Sequence, residues 1–300
     1  MTTNNSRKKL IRQRMDETGE KYTTARKYIP VDENTRINLA QTLTVKDLIP
    51  NTLALKRLTT ALKAPGLILL GGHAAAGKTS LQHVIANEQI RQDKKVLHLF
   101  SSREYLYAEN NDNYTKIDID ALPNQSVANH TDYVHQQIKE LAQTHQVIVL
   151  DEIRSLENVK FIQPYLDTHT VISSIHSNNV LSAIDRIVSI YNYKNAVDIF
   201  KILDKVSLVI AIERIGNLVT YDAQNTISSA LLHKRHYTVV PVTDKVKKIY
   251  ENNDLREAKI LLEALFIEEN ILTVQQHVEQ LAEQGLIKAE KKTVTYYKLK

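Results

Sequence analysis

Three hundred residues, 43% hydrophobic and 24% charged, suffice for one large or two smaller globular domains with a sizeable core. The absence of cysteine excludes a disulfide framework and a thiolate metal site. No apolar run approaches the roughly 18 residues of a membrane helix, and no apolar stretch follows the basic start as a secretory signal requires, so a cytoplasmic protein is expected. The net charge of +5 is local, because residues 1–30 hold eight Lys and Arg against three Asp and Glu and the remainder sums to about zero.

Taken in chain order, residues 1–50 predict a small basic segment of short helices. Leu10, Ile11 and Met15 have helical spacing, Gly19 reads as a stop, and Pro30 closes a second short helix. Pro50 and Asn51 mark a boundary. Asn51 or Thr52 caps the helix "LALKRLTTAL", which ends before Pro65-Gly66. Strands and helices then alternate. "LILLG" (67–71) is a strand, followed by a glycine-bearing turn and the helical "TSLQHVIANEQIRQ". "KVLHLF" (95–100) is a second strand, and a polar, tyrosine-rich connection leads to a helix over 131–144. "QVIVLD" (146–151) and "TVISSIH" (170–176) are further strands, separated by a helix within 156–165, and "VSLVIAI" (206–212) is strand-sized. This alternation predicts an α/β fold, a mostly parallel sheet with helices on both faces. After the strand "YTVVPV" come three helical stretches near 243–251, 254–268 and 272–284. The expected organisation is a basic segment over 1–50, an α/β core over 51–241 and a mainly helical part over 242–300. The last residues read as a helix, a glycine turn and a two-strand hairpin, similar to the end of a winged-helix domain.

"GHAAAGKT" (72–79) satisfies the phosphate-loop pattern G-x-x-x-x-G-K-[ST] in its required setting, after a strand and opening a helix. The backbone N–H groups of Gly72, His73, Ala74, Ala75, Ala76 and Gly77 would wrap phosphates, with Ser80 in the first helical turn and the helix dipole assisting. Lys78 can neutralise the β- and γ-phosphates of ATP, and Thr79 can place its hydroxyl on Mg²⁺. Three of the seven glycines of the chain, Gly71, Gly72 and Gly77, lie here. The partner site is "VIVLDEIR" (147–154), in which four apolar residues deliver Asp151 and Glu152 to the carboxyl end of a strand, where ligands of open α/β sheets bind. One carboxylate, Asp151, can hold hydrated Mg²⁺ and the other, Glu152, can orient the attacking water.

At "LDEIRS" and "TVISSIHSNNVLSAIDRI" the sequence resembles the ATPases of type II and type IV secretion, type IV pilus assembly and retraction, and conjugation. That family has an acidic-Ile/Met-Arg segment after the acidic strand, matched by Glu152, Ile153 and Arg154. It has a strand ending in a histidine box, matched by Ser174, Ile175, His176, Ser177 and Asn178, and then a helix matched by Ala183, Arg186 and Ile187. The resemblance covers roughly 53–250 and implies a RecA-like P-loop NTPase using ATP and Mg²⁺. It implies that Arg154 and His176 belong to the catalytic set, with His176 reading the γ-phosphate. A lone histidine at a strand end is otherwise an ordinary structural residue.

The resemblance also implies a ring of identical subunits, a hexamer, working as a motor at the inner face of the membrane on a platform protein embedded there. The chain departs from the pattern in three places. His73, Ala75 and Ala76 stand in the loop where the family has Pro, Gly and Ser. In "VLHLFSSREY" Phe100 and Ser101 replace the Glu and Asp of the acidic box, while Glu104 and Tyr105 remain, leaving Glu152 or Glu104 as the base. In place of the family's large N-terminal domain stands a basic segment of about fifty residues. A neighbour's arginine can accelerate hydrolysis on the order of 10³–10⁵-fold. Arg103 is the first candidate, followed by Arg186, Arg214 and Arg235. Two other readings stay open: a P-loop ATPase handling plasmid or phage DNA, its basic N-terminus contacting DNA or anionic lipid, and a non-hydrolysing protein that uses ATP only to set its conformation.

Overall fold

Residues 15, 43–74, 76–100, 111–119, 127–191, 202–214, 235–253 and 255–283 are described by the computed structural model. Among them one sheet contains β1 (Gly66–Gly72), β2 (Val96–Phe100), β3 (Tyr114–Asp118), β4 (Val147–Glu152), β5 (Thr170–His176), β6 (Val206–Arg214) and β7 (Arg235–Pro241). The spatial order is β3-β2-β4-β5-β1-β6-β7, parallel throughout except for the antiparallel edge strand β7. Every residue of β1 is buried, as expected of a central parallel strand covered on both faces.

The helices divide between the two faces. α1 (Val45–Leu48), α2 (Thr52–Ala61) and α3 (Lys78–Arg91) cover one, where Leu58, Leu81 and Ile85 pack on Ile68, Leu70 and Val149. α4 (Val127–Ala142), α5 (Leu156–Ile162), α6 (Val180–Tyr191), α7 (Asp244–Asn252) and α8 (Leu255–Glu268) cover the other, where Ile138, Ile162 and Ile184 pack on Leu69, Leu97 and Leu150. α9 (Val274–Glu283) lies against β7, joined by a 2.9 Å contact between His236 Nδ1 and His277 Nδ1.

The caps explain the helix starts. The Asn51 side chain accepts from the Ala54 N–H at 2.9 Å to start α2. Ser155 and Asn158 form a reciprocal capping box that starts α5, which tightens into a 3₁₀ turn at Gln163–Tyr165, where Pro164 stands among the first residues, rather than running helically to 165. The polar, tyrosine-rich connection also differs from expectation, since it contains the edge strand β3. Its period-2 signal is carried by Ile117 alone, because an edge strand buries little. Val45, Leu48 and Ile49 belong to the same core as the phosphate-loop helix. Apart from residue 15, the predicted helices of residues 10–30 and the C-terminal hairpin lie outside the described residues.

Candidate active site

Three neighbouring parallel strands end together. β1 runs into the phosphate loop, β5 ends at His176 and β4 ends at Asp151 and Glu152. Gly72 pairs in register with His176 on one side and Ile212 on the other, which sets the histidine directly beside the entry to the loop. The exposed ring of His176 stands 5.8 Å from that of His73, edge to face.

The loop's conformation follows from its glycines. Gly77, the N-cap of α3, has φ +109°, a region that side chains with a Cβ rarely adopt. A Cβ there would also lie 3.0 Å from Nε and Cζ of Arg235, so the guanidinium from β7 lies against the loop of its own chain. Gly71 lets the Ser177 hydroxyl sit where its own Cβ would be, 2.4 Å away, so the strand leading to the loop and the histidine box interlock. Lys78 Nζ donates to the carbonyls of Gly72 at 2.9 Å and His73 at 3.1 Å, which holds its ammonium over the loop. Ala76 is buried, Thr79 is half-buried, and His73, Ala74 and Ser80 are exposed. These features fit a phosphate chain: a glycine cradle, a helix N-terminus and a lysine directed into the loop.

The acidic pair is shaped by a register slip. Leu150 pairs with Ser173 but Glu152 with Ser174, leaving Asp151 in a bulge, and bulges re-aim side chains. Ser174 Oγ donates to the Asp151 carbonyl at 2.6 Å, and the Ile153 N–H donates to the Ser174 carbonyl at 2.7 Å, so β5 holds the bulge in place. Alternation puts Asp151 on the α3 face with Val147 and Val149. Its carboxylate is 2.6 Å from His98 Nε2. The Glu152 carboxylate accepts from Arg154 Nε at 2.9 Å and Nη2 at 2.7 Å through one oxygen. Arg154 is otherwise solvent-facing, with 69% of its side chain exposed, so this pair can open towards a ligand. Oxygen ligands such as the Thr79 hydroxyl and the Asp151 carboxylate suit Mg²⁺. Among the described residues no cluster of three His, Asp or Glu could hold a metal by itself.

The structure thus brings together Gly72, His73, Lys78, Thr79, Asp151, Glu152, Arg154 and His176. Arg186 is exposed on α6, Arg214 is the last residue of β6, and Arg103, Glu104 and Ala75 lie outside the described residues. Sequence reasoning missed three residues. Gln82, one turn into α3 and buried, donates across to the carbonyls of Leu150 at 2.7 Å and Ile172 at 3.4 Å, tying the helix to β4 and β5. His98 was read only as part of a strand. Its signal is a histidine alternating with Leu97 and Leu99, a polar residue at an inward position. Glu213 was also missed. Burial pushes its carboxyl up to about 7, against a lowering hydrogen bond from Thr238.

A P-loop between β1 and α3, with β5 inserted between that strand and the acidic one, defines the nucleotide-binding class of α/β folds. The chain belongs to the Type II/IV secretion system protein family, matched over residues 34–296. Its fold is similar to two solved ATPases named DotB. The Legionella pneumophila structure aligns at TM-score 0.51 and 16% identity over 80% of this chain and 66% of that one. The Yersinia pseudotuberculosis structure aligns at TM-score 0.54 and 14% identity over 81% of this chain and 60% of that one. The chain therefore spans less than two thirds of the length of either. No curated protein matches it in sequence. Among the described residues no helix is long and apolar enough to cross a membrane.

Proposed function

We propose that this chain is an ATP-hydrolysing motor subunit, binding Mg²⁺-ATP at the ends of β1, β5 and β4. The observation that supports it is the convergence of Lys78, His176 and the Asp151–Glu152 pair on that one edge, on a chain of the Type II/IV secretion system protein family. The backbone of the loop and Lys78 bind the phosphates, exchanging the carbonyls of Gly72 and His73 for phosphate oxygens. Thr79 and Asp151 would hold Mg²⁺, which would supply positive charge against the phosphate oxygens. Glu152, released from Arg154, orients the attacking water and accepts its proton. His176 reads the γ-phosphate and passes its presence to α6, which begins four residues later.

The motor works as a ring of identical subunits, a hexamer, peripheral to the cytoplasmic face of the membrane and docked on a secretion, pilus or conjugation platform. The basic segment over 1–30 supplies the contact with anionic lipid or DNA. A second reading, nucleotide binding without turnover, draws on the ion pair that occupies Glu152 and on Phe100 at the end of β2 in place of an acidic residue. ATPase rate per subunit measured against protein concentration separates the two. A rate rising steeply as subunits assemble is expected; saturable ATP binding without turnover at any concentration would establish the second reading.

A further inference from the structure

His98 connects the acidic strand to the far edge of the sheet. It lies in the middle of β2 on the face covered by α3, and its side chain is only 1% exposed. Nε2 lies 2.6 Å from Asp151 Oδ1 and Nδ1 lies 2.8 Å from the Tyr114 hydroxyl. Three adjacent strands, β3, β2 and β4, each contribute one member of this chain of groups. The carboxylate can only accept, so Nε2 carries the proton that faces Asp151 and donates it there, while the Tyr114 hydroxyl bonds Nδ1 and holds the ring in place. His83 on α3 closes the same space, its ring edge-on to His98 at 6.1 Å. Burial, and then the proximity of His98, push His83 down to about 3, so it packs there uncharged.

Asp151 is therefore fixed twice, its backbone by Ser174 and its carboxylate by His98. A bulge re-aims the side chain it carries, so the direction of this carboxylate is set by the groups bonded to it. We propose that His98, held by Tyr114, is the positioning residue that aims the Asp151 carboxylate at the nucleotide's metal ion. The inference rests on Asp151 being the metal-facing carboxylate. A partner that orients a metal-facing carboxylate typically changes metal affinity by about 10–100-fold.

Mn²⁺ serves as the probe, its free concentration read by electron paramagnetic resonance in the full-length protein saturated with a non-hydrolysable ATP analogue. His98→Leu should weaken Mn²⁺ binding about 10–100-fold, leave ADP affinity in EDTA unchanged, and leave the affinity of Asp151→Asn no lower than it already is. His98→Gln, which keeps an N–H near the Nε2 position, should restore most of the loss, and Tyr114→Phe should show a smaller one. If Asp151→Asn weakens Mn²⁺ binding while folded His98→Leu retains the parent affinity, the positioning role is overturned. Should His98→Leu fail to fold, parent-like Mn²⁺ affinity in Tyr114→Phe overturns it instead. Parent-like Mn²⁺ affinity in Asp151→Asn itself removes the metal assignment of Asp151, and the inference with it.

Discussion

Replacing Gly77 by alanine perturbs the phosphate loop at a single point with a calculable cost. At φ +109° and ψ 18° an L-residue is strained, and such positions cost about 1–3 kcal/mol. The new Cβ would lie 3.0 Å from Nε and Cζ of Arg235. Those atoms end a flexible side chain, so the guanidinium can withdraw, and the contact adds less than the backbone strain. For a domain of this size 1 kcal/mol corresponds to roughly 2–4 °C in melting temperature, so Gly77→Ala should melt roughly 2–12 °C below the parent. ADP affinity should fall about tenfold or more, since the N–H groups that start α3 lose their aim. Scanning calorimetry without nucleotide and titration calorimetry with ADP read the two effects separately. Adding Arg235→Ala should relieve only the contact, and the double-mutant cycle measures that share. Parent-like melting and parent-like ADP affinity in Gly77→Ala would mean that the left-handed cradle serves neither fold nor ligand.

His176→Ala should bind ADP as the parent does but bind a non-hydrolysable ATP analogue more weakly. Loss of one hydrogen bond to a charged group costs about 1.5–3 kcal/mol, roughly 10- to 150-fold in the affinity ratio. An unchanged ratio returns the histidine to a structural role. Glu213 predicts a pH effect. Its folded carboxyl ionises near 7 against the ordinary 4.5, so between those values the unfolded chain has lost a proton that the folded chain keeps. Stability from this group is present below about pH 4.5 and falls as pH rises through 7, by about 3 kcal/mol in all. Glu213→Gln should abolish that fall in urea melts between pH 4.5 and 8; parallel profiles for parent and variant would contradict it.

The alternation of apolar runs with helical stretches was legible because β1, β4 and β5 are buried along most of their length and are led by runs of Leu, Ile and Val. The phosphate loop and the acidic pair were legible for a different reason: their chemistry dictates residue type and spacing. What stayed hidden depends on pairing. β3 buries Ile117 and little else, so its sequence carries only the signal of a polar connection. The bulge at Asp151 exists only once β5 sets the register, and the contact between Arg235 and Gly77 joins residues far apart in the chain. His98 looked like one more strand residue because its partners, Tyr114 and Asp151, come from strands on either side of its own.

Titration of ATP with Mg²⁺ into three proteins, the parent, Lys78→Ala and Glu152→Gln, with phosphate release followed in parallel, tests the nucleotide site itself. Glu152→Gln should bind ATP as tightly as the parent while turnover falls about 10²-fold or more, because the amide keeps the shape but accepts no proton. Lys78→Ala should lose both binding and turnover, because the phosphates lose the cation that now rests on the carbonyls of Gly72 and His73. A folded Lys78→Ala protein that binds and hydrolyses ATP as the parent does would contradict the assignment of this loop as the nucleotide site.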